Sequence, residues 1–270
     1  HGIRVVDPGV ELISKLSEED PDDWVDDDWE LFWSLARRTG PQKVLPLLRE
    51  IDIDGSDIQV MTQAGEFSAL GGCLLPGPIV GTASDAAEDA GVTIDVEYHS
   101  EELSLLRQLG AVQGPVKNGG SRSEGWFALY RREQLDALLE VIHAAGGNPS
   151  QAHFQFDKHR FAGPLNGLDR LSEAARGRFT EELLRAQETF PTWQLSHSTV
   201  ERYPHRTCPH PVIWAARKYG RLRTSLGLML TDDAVGPQLE PWHRFFPVAD
   251  CSPDAAVAME LPTSVDEFDR

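Results

Sequence analysis

The sequence has few cysteines and no long apolar run. Cys73, Cys208 and Cys251 are odd in number and widely spaced among 270 residues, which argues against a disulfide framework and favours a reducing compartment. No stretch approaches the roughly 18 continuous apolar residues of a membrane span, and no signal peptide is recognisable. We therefore expect a cytoplasmic protein without a membrane partner. The chain starts at His1 and not at Met, so we interpret it as part of a longer protein.

Sequence motifs for nucleotide binding and nucleophilic catalysis are also missing. The chain contains neither a G-x-x-x-x-G-K-[ST] loop nor a G-x-G-x-x-G loop after a strand, and no G-x-S-x-G elbow. The acidic runs at 26–28 and 232–233 lack the alternating spacing and the glycine of a calcium loop. We expect no cofactor in this chain.

Basic residues are scarce and clustered. The sequence has 43 acidic and 25 basic residues, a net charge of −18, and its first hundred residues hold 21 acids against 6 bases, hence −15. Such a surface repels nucleic acid and anionic membranes, so neither is an expected partner. The exception is the stretch 202–223, which has six basic residues and no acidic one, and which predicts a docking patch for an acidic protein. Its members are Arg202, Arg206, Arg217, Lys218, Arg221 and Arg223.

A strand–turn–strand pattern occurs twice. Residues 58–78 read IQVMTQAGEFSALGGCLLPGP, and residues 220–237 read GRLRTSLGLMLTDDAVGP. Both contain Thr-x-x-Gly, then an apolar stretch, then Gly-Pro. A repeated unit of this kind indicates an assembled scaffold, so we predict one hairpin in each half of the chain.

The remaining pattern predicts an α+β fold of two diverged units, each a hairpin packed on helices. The expected domains are 1–117, with an acidic N-terminal segment, and 118–270, with two long helices before its hairpin. Alternation predicts a strand over 92–98, and leucine spacing predicts a helix that Glu101 and Glu102 open and Gly110 ends. Helical spacing also predicts long helices over 124–145 and 164–190. We interpret the apolar segment 242–248 as the second unit's counterpart of the leucine-rich helix.

One cluster could bind a metal or carry a reactive thiol. His197, His205, Cys208 and His210 bring imidazole and thiolate ligands together within fourteen residues. The Cys-x-His pair is tighter than a usual zinc pair, and no second cysteine pair exists. A proline-stiffened surface segment with Cys208 as a small buried residue is the competing interpretation.

Several blocks together resemble a known family. They are VMTQAGEFSALGGCLLPGPIV (60–80), IDVEYHSEELSLLRQLGA (94–111), WFALYRR (126–132), GPLNGLDRLSE (163–173) and HSTVERYPHRTCPHPVIWAARKYGRLRTSLG (197–227). In this order they are similar to a non-catalytic region of large bacterial sacsin-like proteins, and the similarity covers most of 27–250. The resemblance implies a parent with an Hsp90-type ATP-binding module followed by long repeat regions. The Glu/Asn helix and the Asp-x-Gly-x-Gly loop of that module are missing from this chain, so ATP binding is carried over to none of its residues.

Three functional hypotheses follow. The first is a non-enzymatic scaffold or interaction region of a large ATP-dependent chaperone-like protein, with a protein or the parent's other domains as partner. The second is a metal- or thiol-dependent enzyme centred on the His/Cys cluster. The third is an adaptor in a bacterial defence or signalling assembly, bound to an acidic partner through residues 202–223.

Overall fold

A computed structural model describes residues 7–18, 21–50, 53, 55, 57–81, 87–114, 125–144, 146, 154–155, 168–185, 193–197, 206–209 and 211–268. Helices and small antiparallel sheets alternate irregularly along these residues, which confirms the predicted α+β class and the two hairpins. The chain forms two compact units. The first comprises His1–Ser121 and Arg160–Ala175, and the second comprises Arg122–His159 and Arg176–Arg270.

Within its described residues up to position 114, the first unit has four α-helices and one hairpin. They are α1 (Pro8–Glu18), α2 (Asp26–Thr39), α3 (Pro41–Glu50), β1 (Gln59–Met61), β2 (Phe67–Ala69) and α4 (Leu103–Leu109). Three aspartates lie in the first turn of α2, where the helix dipole favours negative charge, and the Asp28 carboxylate accepts a hydrogen bond from the Val25 N–H at 3.1 Å. Gly40, at φ 85°, ends α2, and Pro41 begins α3 directly afterwards.

Aromatic side chains of α2 form the centre of this unit's core. Trp29, Phe32 and Trp33 are each at most 2% exposed, and the Phe32 and Trp33 rings meet edge to face at 5.1 Å. The Trp33 indole N–H donates to the Gln59 carbonyl at 2.8 Å, which joins α2 to β1. Burial of each such ring contributes about 1.5–3 kcal/mol, so this helix fixes the position of the hairpin.

The second unit holds the remaining elements in sequence order. They are α5 (Gly125–Ala144), β3 (Phe154–Gln155), α6 (Glu173–Arg185, whose first residues belong to the first unit), β4 (Trp193–His197), β5 (Arg206–Cys208), α7 (Pro211–Tyr219), β6 (Arg221–Thr224), β7 (Gly227–Leu230), α8 (Pro253–Ala258) and α9 (Val265–Phe268). Strands β3, β4 and β5 form an antiparallel sheet, and β6 pairs with β7 in a separate antiparallel hairpin.

Two predicted elements are shorter than the sequence pattern indicates. The strand expected over 92–98 is reduced to bridges at Thr93 and Ile94, because the Asp95 carboxylate accepts the N–H groups of Glu97 and Tyr98 at 2.9 and 3.0 Å and turns the chain. The helix expected over 164–190 begins only at Glu173, after a turn at 168–170. The Ser172 hydroxyl there accepts the Ala175 N–H at 3.2 Å, as an N-cap does, and residues 164–167 and 186–190 lie outside the described part.

Candidate functional site

The two hairpins begin the same backbone arrangement, which we call the first module (residues 62–112) and the second module (residues 224–262). In each module the Thr of the Thr-x-x-Gly pattern forms an antiparallel bridge to a returning segment. A residue beyond the hairpin forms a parallel bridge to the same segment. The antiparallel bridges are Thr62–Ile94 and Thr224–Ala249, and the parallel bridges are Leu74–Thr93 and Val235–Val248.

Backbone hydrogen bonds repeat residue for residue between the modules. Five bonds of the first module have a counterpart in the second, and both sets are given in the same order. In the first module they run from Gln63 N to Thr93 O (2.8 Å), Asp95 N to Met61 O (2.9 Å), Leu74 N to Val92 O (2.8 Å), Ile94 N to Leu74 O (2.8 Å) and Leu75 N to Val112 O (2.8 Å). In the second they run from Ser225 N to Val248 O (2.8 Å), Asp250 N to Arg223 O (2.8 Å), Val235 N to Pro247 O (3.1 Å), Ala249 N to Val235 O (2.9 Å) and Gly236 N to Pro262 O (2.8 Å). The similarity that the sequence shows at Thr-x-x-Gly therefore extends through a complete unit of tertiary structure.

A short helix occupies the same place in both modules. In the first it is α4, which ends at Gly110 with φ 111°, and in the second it is α8, followed by Glu260 with φ 53°. The Ala111 N–H returns to the Leu106 carbonyl at 2.8 Å, and the Leu261 N–H returns to the Ala256 carbonyl at 2.9 Å. The assignment of 242–248 as the counterpart of the leucine-rich helix is therefore wrong. Helix α8 escapes detection because its apolar residues are Ala and Val in a six-residue segment.

The side chain of the repeated Thr serves the same purpose in both copies. Thr62 and Thr224 are buried, and each hydroxyl donates to the carbonyl of the residue across the turn. The acceptors are Glu66 at 2.9 Å and Gly227 at 2.8 Å. The hydroxyl thus closes the turn from inside the module, which explains why both copies keep Thr at this position.

The modules differ at the end of the hairpin. In the first, the Ala64 N–H donates to the Ala90 carbonyl at 3.2 Å, so two small residues meet there. The equivalent residues of the second module are Leu226, two after Thr224, and Phe245, two before Pro247. Leu226 is 55% exposed and Phe245 is 75% exposed. The turns also differ, because three residues separate Thr62 from Glu66 and two separate Thr224 from Gly227, and the Leu226 N–H donates to the Thr224 hydroxyl at 3.2 Å. Equivalent positions in the sequence therefore carry alanines in one copy and large exposed apolar side chains in the other.

Trp242, 52% exposed, adds to this surface, and its ring centroid lies 6.5 Å from that of Phe245. The Ser225 hydroxyl holds the two segments together: its one proton is shared between the carbonyls of His243 and Phe246, at 2.9 and 3.0 Å, and its oxygen accepts the Val248 N–H at 3.2 Å. We call Leu226, Trp242 and Phe245 the apolar tip. No pattern within either half of the sequence indicates this surface. An alignment of the two copies could have indicated the apolar tip, because Leu226 and Phe245 align with Ala64 and Ala90.

Three residues of the predicted basic patch engage acids of their own unit. Arg217 contacts Asp232 at 2.9 Å and Glu260 at 2.6 Å, and Lys218 contacts the Glu133 carboxylate. Arg223 lies 3.8 Å from Glu181, and Arg221 lies on β6. Arg202 lies outside the described residues, and only the backbone of Arg206, in β5, is described. Exposed pairs of this kind stabilise by at most about 1 kcal/mol each. The docking patch stays a prediction.

The proposed metal cluster is described only in part. Cys208 ends β5 and is 1% exposed, while only the backbone of His197, in β4, is described. His205 and His210 lie outside the described residues. Within the described part of the chain, no three His, Cys, Asp or Glu side chains are arranged to hold a metal ion. The burial of Cys208 favours the interpretation of this thiol as a small core residue.

A buried polar cluster in the first unit joins α2, β1 and the start of α4. Arg37 Nε pairs with a Glu102 carboxylate oxygen, and Glu102 is only 3% exposed. His99, fully buried, accepts the Met61 N–H at Nε2 over 2.9 Å, so its ring proton lies on Nδ1, 3.8 Å from the other Glu102 oxygen. Burial, and then the Arg37 charge, lower the pKa of His99 to about 4. The arrangement holds a neutral imidazole between a strand and a helix, which is a structural task.

A cleft of about 460 Å³ lies in the second unit, between α6, β6 and the start of α8, and is lined in part by Glu181, Arg185, Arg223 and Cys251. Its charges are largely matched: Arg185 contacts Glu182 at 2.5 Å, and Arg223 contacts Glu181 at 3.8 Å. Burial, reinforced by the neighbouring carboxylate, raises the pKa of the Cys251 thiol to about 11. This thiol is therefore protonated at neutral pH and is a poor nucleophile.

Comparison with known proteins returned no match: no family model, no curated protein and no solved structure is similar to this chain. Among the described helices, none has the length and apolar character needed to cross a bilayer.

Proposed function

We propose that this chain is a non-enzymatic scaffold and interaction region of a large ATP-dependent chaperone-like protein, similar to the sacsin-like family. The observation that carries the proposal is the contrast between the two modules. Five backbone hydrogen bonds outside the turns are shared, yet at the tip one module has Ala64 and Ala90 and the other exposes Leu226 and Phe245. Leu226 and Phe245 are 55% and 75% exposed, so the module buries little of either side chain. Contiguous exposed apolar side chains that folding does not require are typical of protein-binding surfaces.

The charge and the thiols support the rest of this proposal. A net charge of −18 disfavours nucleic acid and anionic membranes, so the expected partner is a protein or another domain of the parent. Cys73, Cys208 and Cys251 are free, and the first two are buried, which is compatible with a cytoplasmic location. The enzyme hypothesis is less well supported, because the described thiols are buried or have a raised pKa.

Site-specific photo-crosslinking tests the interaction role. Phe245 is replaced by the photoreactive residue p-benzoyl-phenylalanine in the full chain, which is produced in its native cells and irradiated. We expect a discrete protein adduct. The control carries the same residue at Val257, which is 66% exposed on α8 in the same module. Adducts of equal yield at both positions, or none at position 245, would contradict an interaction role for this surface.

The family part of the proposal has a separate test in the reading frame that precedes His1. We expect it to encode an Hsp90-type module with its Glu/Asn helix and Asp-x-Gly-x-Gly loop. An upstream region that encodes an unrelated domain would remove the sacsin-like assignment and leave the interaction role to be judged on its own.

A further inference from the structure

We infer that the apolar tip binds a short peptide segment of a partner protein, one that combines large apolar side chains with carboxylates. This inference rests on the proposed interaction role and adds the chemistry of the partner. Its apolar part follows from Leu226, Trp242 and Phe245, which are all at least half exposed.

The shape of the surface suits a short segment. Leu226 projects from a two-residue turn, and the Ser225 hydroxyl fixes this turn to the carbonyls of His243 and Phe246. The tip is thus formed by two tethered segments. A few aromatic and aliphatic side chains held in place bind at a lower entropic cost than flexible ones would.

The acidic part of the inference comes from Arg244, which lies between Trp242 and Phe245 in sequence and is exposed. Among the residues that the structure describes, Arg244 forms no ion pair, although acids outnumber bases 43 to 25 in the chain. The nearest acid in sequence, Glu240, instead lies 3.9 Å from the His243 ring.

Charge also favours a short acidic peptide over an anionic bilayer, a nucleic acid or a second copy of this chain. A chain with a net charge of −18 is repelled by anionic bilayers and nucleic acids at long range, but a short peptide contacts only the local surface. There, a carboxylate beside Arg244 gains an ion pair, and its apolar neighbours cover the aromatic rings. A second copy of this acidic chain would add the repulsion of two like-charged bodies.

Selection from a displayed library of random twelve-residue peptides tests the inference, with the full chain immobilised as bait. We expect the enriched peptides to share at least two large apolar residues and a net negative charge. Representatives are synthesised with a fluorescein label, and their affinity is measured by fluorescence anisotropy. The double variant Leu226→Ala/Phe245→Ala should weaken binding at least tenfold, and Arg244→Glu about fivefold, whereas Val257→Ala should leave the affinity unchanged.

The double variant should fold, because Leu226 and Phe245 are 55% and 75% exposed and their truncation removes little buried surface, and an unchanged circular-dichroism melting curve verifies this. Arg244→Glu keeps the apolar tip intact and tests the charge alone.

Enrichment of neutral or basic peptides, affinity that survives the double variant, or absence of any enrichment overturns the inference. So does sedimentation that shows a dimer in the wild type and a monomer in the double variant, since the occupant would then be a second copy. If the photo-adduct at position 245 forms while no acidic peptide is enriched, the interaction role stands and only the partner chemistry fails. If neither is observed, both fail.

Discussion

Protonation of His99 should destabilise the first unit as the pH falls. The folded protein holds the imidazole neutral, because Nε2 accepts the Met61 N–H and a proton there would abolish that bond. The groups around the ring are Arg37, Glu102, Asp95 and Tyr98, and the side chain itself is fully buried. A pKa of about 4 in the fold lies below the ordinary value of 6.5. This depressed pKa means that stability from the neutral ring is complete above pH 6.5 and declines as the pH falls towards 4.

The size of the effect follows from proton linkage. Between pH 7.5 and 5.0, a group with pKa values of 6.5 unfolded and about 4 folded reduces the free energy of unfolding by about 2 kcal/mol. Burial raises the pKa of Glu102 in spite of Arg37, and this carboxyl contributes with the opposite sign. The measurement must therefore isolate the histidine.

The matched variant is His99→Gln, whose amide oxygen can accept the Met61 N–H and cannot be protonated. Urea unfolding of both proteins is followed by circular dichroism at pH 7.5, 6.5, 5.5 and 5.0. We expect the stability difference, wild type minus variant, to fall by about 2 kcal/mol across this range. A constant difference would show that His99 does not titrate as a buried neutral ring. A difference that grows in acid would mean that the imidazolium forms and pairs with Glu102, which refutes the reasoning.

Three further predictions concern other parts of the chain. Gly220→Ala should destabilise the second unit by about 2 kcal/mol or more in thermal unfolding, because the added Cβ would lie 2.1 Å from the Ala216 carbonyl oxygen; a change below about 0.5 kcal/mol would contradict this close approach. Thr62→Val should cost about 1 kcal/mol in urea unfolding, and Thr224→Val should cost more, because the Thr224 hydroxyl accepts the Leu226 N–H at 3.2 Å in addition to its bond to Gly227; a cost for Thr224→Val no larger than that for Thr62→Val would contradict this. In a thiol titration of the native protein above pH 9, Cys251 should react before the two buried cysteines, and the reverse order would be incompatible with their burial.

Local chemistry made the hairpins predictable. In each Thr-x-x-Gly turn the glycine adopts a positive φ, 79° at Gly65 and 112° at Gly227, which few other residues tolerate. The junction at Gly40 and Pro41 was predictable for a similar reason, because these residues end one helix and begin the next. Such signals depend only on neighbours in sequence.

Other elements depend on competition that the pattern does not reveal. Residues 92–98 alternate as a strand does, yet the Asp95 side chain captures two backbone N–H groups and bends the chain after Ile94. Helix α8 is the counterpart of α4, and the sequence pattern does not reveal it. A backbone hydrogen bond from the Leu261 N–H to the Ala256 carbonyl ends α8 as the equivalent bond ends α4, and a backbone bond of this kind does not require leucines.

The sequence by itself determined the α+β class, the two hairpins and the uneven charge, because turn residues, periodicity and composition act over short distances. Tertiary structure alone decided that His99 is held neutral between a strand and a helix, since Met61 lies 38 residues away along the chain. It also decided that Leu226 and Phe245 remain exposed where the first module places alanines. Exposure is set by whichever distant segment covers a residue, and only the folded chain defines that segment.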